Sequence, residues 1–168
     1  FWYETEQLKF EKKWFPYNKG GAMRRWYGNQ EYLVDWENDG LSLKSFDRAY
    51  LRNIQHCFKP AVSYSSLTSG APSFRFYDGH LHDQAGNFLP HNSVLDTRKS
   101  LAALNSSVGI FFVKTFSPTI NILIDDLGKV PLTGPDRVIS LADQNVALAR
   151  SDWDAYETSW DFTTLPLL

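Results

Sequence analysis

The N-terminal part of the chain contains a stretch in which cationic side chains alternate with aromatic rings. This stretch is residues 12–40, KKWFPYNKGGAMRRWYGNQEYLVDWENDG. Residues 7–30 hold six Lys or Arg and one acid, a balance of about +5 in a chain whose net charge is -2. Local positive charge of this kind suits contact with a polyanion backbone, and Gly20 and Gly21 would let the main chain approach a phosphate closely because glycine has no Cβ. The alternative interpretation is a solvated basic loop over packed aromatic rings.

Phosphate contacts position a protein on a nucleic acid, whereas hydrogen bonds to base edges discriminate sequence. The first group of candidate contacts contains cations that could bind phosphates or bases, namely Lys13, Lys19, Arg24 and Arg25. It also contains amides that could pair with adenine edges, namely Asn18, Asn29 and Gln30. The second group lies in or beside a loop between two predicted strands, where recognition residues are common: Ser65, Ser66, Thr68, Ser69 and Arg75. Arg75 lies between Phe74 and Phe76 in the sequence, so the alternative is a structural arginine that packs on aromatic rings.

The residue types needed for catalysis or metal binding occur without a familiar spacing. Cys57 is the single cysteine, and none of the four histidines falls in a nucleophile motif. His80 and His82, with Asp83 and His91, admit a metal-site interpretation, but a second cysteine and HExxH spacing are absent, which favours ordinary turn histidines. No glycine-rich nucleotide motif follows a predicted strand. The sequence therefore predicts that this segment supplies no catalytic residue, metal ligand or cofactor-binding residue.

Composition indicates a folded domain. The chain has 168 residues, of which 43% are hydrophobic and 15% aromatic, a composition that argues against disorder. The longest apolar runs are far shorter than the roughly 20 residues that span a bilayer. Without a secretory signal or a second cysteine, the sequence indicates a cytoplasmic protein. Because the chain begins without methionine and ends on apolar residues, we interpret 1–168 as a single domain cut from a longer protein.

Hydrophobic periodicity and turn residues predict alternating helices and strands. Helices are predicted at residues 44–57, 97–116 and 140–150, with Asp96 as a cap and a new helix start at Ser151-Asp152. Strands are predicted at 60–66, 73–77 and 119–124, turns at 80–90 and 125–128, and an extended segment at 130–132. From residue 120 onward the chain has three basic and eight acidic residues. This difference in charge indicates that the basic N-terminal half makes contacts and the acidic C-terminal half supports it. The expected fold class is α/β (α+β), with a twisted mixed or antiparallel sheet and flanking helices.

Four blocks of the chain resemble one known family. They are WFPYNKGG with RRWYGNQEYLVDWENDG (residues 14–40), FKPAVSYSSLTSGAPSFRFY (58–77), LAALNSSVGIFFVKTFSPTINILIDDLGKVPL (101–132) and DWDAYETSWDF (152–162). Together they resemble the C-terminal half of large adenine-specific DNA methyltransferases of the BREX phage-defence type. The third block is also similar to target-recognition domains of TaqI-like methyltransferases and of type I specificity subunits.

The resemblance implies that the parent protein transfers a methyl group from S-adenosylmethionine to adenine N6 in a particular sequence of double-stranded DNA. It implies a restriction-modification or phage-exclusion system, in which this segment recognises the target and other defence subunits are possible partners. The family's Asn/Asp-Pro-Pro-Tyr/Phe motif and Rossmann-like cofactor domain lie elsewhere in the parent chain, and neither is found here. The segment alone is therefore expected to be catalytically inert.

Two other functions remain open at the level of sequence. A separate DNA-specificity subunit would bind DNA and depend on another chain for catalysis. A carbohydrate-binding module would use exposed tryptophans and tyrosines to stack on sugars. Five tryptophans admit a role in stacking on an extruded base, but core packing is the favoured interpretation: Trp14, Trp26, Trp36, Trp153 and Trp160.

Overall fold

The computed structural model describes residues 13–83, 86–132 and 135–165. No helix within these ranges is long and apolar enough to cross a membrane. The strands of the described residues are β1 (Trp14–Asn18), β2 (Tyr32–Asp35), β3 (Ala61–Ser65), β4 (Phe74–Tyr77), β5 (Leu81–His82) and β6 (Gly86–Pro90). The α-helices are α1 (Glu37–Lys44), α2 (Val94–Asn105), α3 (Ser107–Phe116), α4 (Ile124–Leu127) and α5 (Arg137–Asp154).

The strands form two small sheets. In the first, with order β2-β1-β5, β1 pairs antiparallel with β2 and parallel with β5. In the second, with order β4-β3-β6, both pairings of β3 are antiparallel. The predicted α/β fold class with mixed and antiparallel pairing is confirmed, in the form of two three-stranded sheets instead of one.

The second sheet packs on α2 to form the main core. Val62 and Tyr64 of β3 and Phe74 of β4 are fully buried and belong to one hydrophobic cluster with Leu101 and Leu104 of α2. Burial of each leucine stabilises the fold by about 2 kcal/mol. Helix α5 lies against α2 and adds Val146 and Trp153 to the same cluster. This core fixes β4, whose outer edge carries part of the candidate site.

The first sheet has a smaller core, and its contact with the second sheet depends on close main-chain approach. Trp36, Cys57 and Leu81 form the buried cluster beside β1. A Cβ placed on Gly86 would lie 2.5 Å from the carbonyl oxygen of Asn18 and 2.7 Å from the amide nitrogen of Gly20. Only a residue without a side chain fits at the start of β6, because any other residue would push the end of β1 away from the second sheet.

Asn18, the last residue of β1, links the two sheets by hydrogen bonds. The side chain is fully buried, and its Nδ2 donates to the Ser63 hydroxyl (2.6 Å) and to the Gly86 carbonyl (2.9 Å). Its Oδ1 accepts from the Gly20 amide at 3.1 Å. Three polar groups in the interior therefore depend on one amide side chain.

Several predicted elements are confirmed. Strands predicted at 60–66 and 73–77 are β3 and β4, and the helix predicted at 140–150 is the centre of α5. The helix predicted at 97–116 starts earlier and is broken: Ser93, rather than Asp96, caps α2 by accepting from the Asp96 amide at 3.1 Å. Ser106 ends α2 and caps α3, accepting from the Gly109 amide at 3.0 Å. A serine hydroxyl competes with the helical hydrogen bond and so favours a new start at this position.

Other predictions of secondary structure are wrong. The helix predicted at 44–57 is only a 3-10 turn at Ile54–His56, and its expected apolar face is in water, with Phe46 58% and Tyr50 77% exposed. The turn predicted at 80–90 contains β5 and β6. The strand predicted at 119–124 is reduced to a single antiparallel bridge between Asn121 and Leu67, and the turn predicted at 125–128 overlaps the short helix α4. No new helix starts at Ser151-Asp152, because α5 continues through them to bury Trp153. At 80–90 and at Ser151-Asp152 tertiary packing overrides the local pattern, whereas the helix predicted at 44–57 lacks a surface on which to pack.

Candidate nucleic-acid interface

The connection between β1 and β2, residues 19–31, carries five of the twelve predicted contact residues, and we call it the basic loop. It leaves the first sheet and crosses to the outer edge of β4. There the Trp26 amide donates to the Phe74 carbonyl (2.8 Å), and the Phe76 amide donates to the Trp26 carbonyl (2.9 Å). The loop thus joins the second sheet by strand-like hydrogen bonds although β1 and β2 belong to the first.

Two side chains of the second sheet hold the basic loop in place. The Tyr77 hydroxyl lies 2.9 Å from the Gly28 carbonyl and 3.0 Å from the Asn29 carbonyl, and the Ser65 hydroxyl donates to the Gly21 carbonyl at 2.9 Å. Burial raises the pKa of Tyr77, so the hydroxyl keeps the proton that it donates. Tyr77 was not among the predicted site residues, because nothing in its local sequence indicates a contact with residues far away along the chain.

Arg75 lies beneath the basic loop. It is fully buried at the centre of β4, where its Nη1 lies 3.5 Å from the Arg24 carbonyl and its Nη2 donates to the Ser65 hydroxyl at 3.3 Å. Burial lowers the pKa of Arg75, but the guanidinium stays charged at neutral pH. The position agrees with the structural interpretation of Arg75, since the side chain supports the loop from inside.

Arg24 fixes the other side of the loop to α5. Its Nη1 lies 2.9 Å from an Asp152 carboxylate oxygen, and its guanidinium lies 4.8 Å from the centre of the Trp153 ring. Gly28 makes this packing possible: its φ is +120°, and an added Cβ would lie 2.7 Å from the Arg24 side chain and 3.1 Å from Trp153. The charge of Arg24 is thus largely balanced within the protein.

Lys19 and Arg25 differ from the other predicted cations because both are exposed and neither forms an ion pair with a described residue. The ammonium of Lys19 lies 5.3 Å from the centre of the Tyr32 ring. Lys13, in contrast, lies 3.6 Å from Asp35 and 3.8 Å from Glu37. Within the described residues of the N-terminal group, unbalanced positive charge is therefore concentrated on the basic loop at Lys19 and Arg25.

The three amide side chains predicted to meet adenine edges are all buried. Asn18 joins the two sheets, Asn29 donates to the Ala22 carbonyl at 2.8 Å, and Gln30 accepts from the Tyr27 hydroxyl at 3.0 Å. These bonds stabilise the loop from within. Because these three amides are buried, they do not reach a ligand in this conformation.

The second predicted group lies beside the first. The hydrogen bond from Ser65 to the Gly21 carbonyl brings the end of β3 against the basic loop. Beyond it, Ser69 is exposed and Ser66 and Thr68 are partly exposed, with the Thr68 hydroxyl accepting from the Gly70 amide at 3.2 Å. The start of the second group therefore lies beside the basic loop.

Of the histidines predicted as possible metal ligands, His80 lies beside Tyr77 and Trp160, and His82 belongs to β5. Burial lowers the pKa of His80 to about 4 and that of His82 to about 3, so both imidazoles are neutral at pH 7. The His82 ring stacks on Phe88 with 3.8 Å between ring centres. No group of three histidine, cysteine or acidic side chains within the described residues is arranged to hold a metal ion.

Of the five tryptophans considered above, two are buried in the core and three are partly exposed. Trp36 and Trp153 are buried, each in one of the two hydrophobic clusters. Trp14, Trp26 and Trp160 are partly exposed. Packing therefore accounts for Trp36 and Trp153, which are not available to stack on a sugar or a base.

The chain is similar to segments of two curated bacterial proteins. It is 33% identical over 163 residues to "Adenine-specific methyltransferase BrxX" of Escherichia coli O9:H4 (strain HS), a match that covers 95% of this chain and 13% of that protein. It is 35% identical over 174 residues to "Adenine-specific methyltransferase PglX" of Lacticaseibacillus casei (strain Zhang), covering 98% of this chain and 14% of that protein. The chain thus spans only a small part of these relatives' length. No family model matches it.

Proposed function

We propose that this chain is a segment of an adenine-specific DNA methyltransferase of a phage-defence system, and that it takes part in recognising the DNA target. The similarity to two proteins named adenine-specific methyltransferases supports the parent activity. The parent would use S-adenosylmethionine and double-stranded DNA, with catalysis carried by another domain of the same chain. Other subunits of the defence system are further possible partners.

The observation that supports the recognition role is a pair of exposed cations on an anchored loop, neither of which forms an ion pair with a described residue. Lys19 and Arg25 belong to a loop held by the main chain of β4, by Tyr77 and by Ser65. A loop anchored in this way presents charge without a large entropic cost on binding. The phosphate backbone supplies most of the affinity of proteins for DNA, and two such cations suit it.

The proposed contact surface is narrower than the set that the sequence indicates. Lys19 and Arg25 are assigned to phosphates, and the exposed part of the loop after β3 is assigned to base or phosphate contacts through Ser66, Thr68 and Ser69. Lys13 and Arg24 are secondary contacts, because acidic neighbours already balance their charge. Asn18, Asn29, Gln30 and Arg75 are assigned to maintaining the loop.

The double variant Lys19→Ala/Arg25→Ala is expected to weaken binding to duplex DNA and reduce its dependence on salt. Each phosphate contact releases counterions, so the loss of two contacts should flatten the slope of log K against log salt by about 1.8. Fluorescence anisotropy with a mixed-sequence duplex at several salt concentrations measures this slope. Circular dichroism establishes that the variant remains folded.

The matched control is Lys114→Ala/Arg137→Ala, which removes the same charge from exposed cations that form no ion pair with the described residues. These residues lie at the end of α3 and the start of α5, and their removal should leave the slope nearly unchanged. An equal flattening in both double variants would mean that only net charge matters. That result would contradict the assignment of the basic loop as the contact.

A further inference from the structure

A concave site lies beside the first sheet, away from the basic loop. It is a groove of about 640 Å³ between the first sheet, the segment before β3 and the segment before α4. Its apolar floor includes Trp36, Leu81 and Ile122, which are all buried. The volume lies within the range of small-molecule sites in proteins, and the basic loop does not line it.

The polar part of the groove includes three amide side chains. Asn53, Asn87 and Asn121 line it, and their side chains form no hydrogen bond within the described part of the chain. The carboxylate of Asp83, also in the lining, is engaged by the Tyr17 hydroxyl. The groove thus offers three neutral groups, each able both to donate and to accept hydrogen bonds.

An aromatic ring with a cation above it lies at the edge of the groove. Tyr50 and Arg52 both line it, and the Arg52 guanidinium lies 4.5 Å from the centre of the Tyr50 ring. Tyr50 is 77% exposed, so its ring is accessible to a ligand in the groove. Exposed rings of this kind stack on the flat faces of bases, and a neighbouring arginine suits the attached phosphate.

We propose that this groove binds a nucleobase, with the free amides of Asn53, Asn87 and Asn121 on its edge, Tyr50 on its face and Arg52 at its phosphate. Asparagine amides pair with base edges because they present a donor and an acceptor side by side. A base extruded from bound DNA and a free nucleotide share this chemistry. The inference extends the proposed function, since the segment would hold a base as well as the backbone.

Two kinds of probe test the proposal. The first is each of the four deoxynucleoside monophosphates, added to the isotopically labelled chain while the backbone amide resonances of the groove residues Leu81 and Ile122 are followed by NMR. The second is a pair of 20-mer duplexes, identical except for one bulged, unpaired base. An unpaired base needs little energy for extrusion, and stacking on an aromatic ring stabilises a bound base by about 1–3 kcal/mol. The bulged duplex should therefore bind about tenfold more tightly than the paired one.

The variant Asn87→Ala/Asn121→Ala should remove both the NMR shifts and the preference for the bulge, whereas Asn92→Ala, an exposed amide elsewhere, should keep them. A bulge preference identifies DNA as the source of the base, and saturable shifts without that preference identify a free nucleotide. Nucleotide-induced shifts without any duplex binding would keep the groove assignment and contradict the proposed function. The groove assignment is overturned if no nucleotide or duplex moves the groove resonances, or if the double variant responds like the wild type.

Discussion

An Asn18→Ala variant is expected to lose about 3 kcal/mol of stability and to keep the wild-type salt dependence of DNA binding. The Asn18 amide side chain is fully buried and serves the Ser63 hydroxyl, the Gly86 carbonyl and the Gly20 amide. Removing it leaves those groups without their partner in the interior, and each unsatisfied buried group costs roughly 1–3 kcal/mol. Urea unfolding followed by circular dichroism measures the change in the free energy of unfolding.

Asn92→Ala is the matched control for this prediction. Asn92 is exposed and makes no hydrogen bond with the described residues, so its replacement should change stability by less than about 0.5 kcal/mol. DNA binding by the Asn18 variant is measured well below its melting temperature. A variant as stable as wild type with a flattened salt slope would mean that Asn18 contacts DNA, which contradicts the structural role assigned here.

Gly86→Ala is expected to destabilise the chain by about 3 kcal/mol, the upper end for added volume in a packed region. The new methyl group would lie 2.5 Å from the Asn18 carbonyl and 2.7 Å from the Gly20 amide. Both atoms belong to the main chain, so relief requires that β1 move away from β6. The same movement would weaken the Asn18 hydrogen bonds and shift the start of the basic loop.

Gly70→Ala provides the comparison for this second prediction. Its nearest non-neighbouring atom would be the Thr68 hydroxyl at 3.8 Å, an ordinary contact, and the effect on stability should lie within about 0.5 kcal/mol. Thermal unfolding of the two variants side by side separates a general effect of glycine replacement from the close approach of the sheets. Similar melting temperatures for the two variants would show that the sheets tolerate a side chain at residue 86.

Elements with strong local patterns were predictable from the sequence. β3 and β4 have β-branched and aromatic residues bounded by turn residues, and α5 has a regular apolar stripe, so their local pattern and their packing agree. The segment around Phe46 and Tyr50 has helical spacing but no partner surface to bury that face. Helical spacing predicts a helix only where packing stabilises it, and the sequence does not show which faces meet.

The candidate site was predictable by region but not by side chain. Charge and ring content drew attention to the segment that contains the basic loop, yet the environment of each residue depends on distant partners. Asp152 balances Arg24, the β1–β6 approach buries Asn18, and Ser65 meets Arg75 only because β3 and β4 pair. No local sequence pattern reveals contacts between residues that are so far apart along the chain. The amides of the groove were missed for the same reason, since three unconnected segments bring them together.

The most direct test of the recognition role is selection of DNA from a random-sequence duplex pool by the folded 168-residue chain, followed by sequencing of the retained fraction. Base contacts from the loops after β1 and β3 predict enrichment of a short sequence motif, because a lost base contact costs about 1–3 kcal/mol. The Lys19→Ala/Arg25→Ala variant should retain less DNA but enrich the same motif. Salt-dependent retention without any enriched motif, or no retention by the folded chain, would contradict the account.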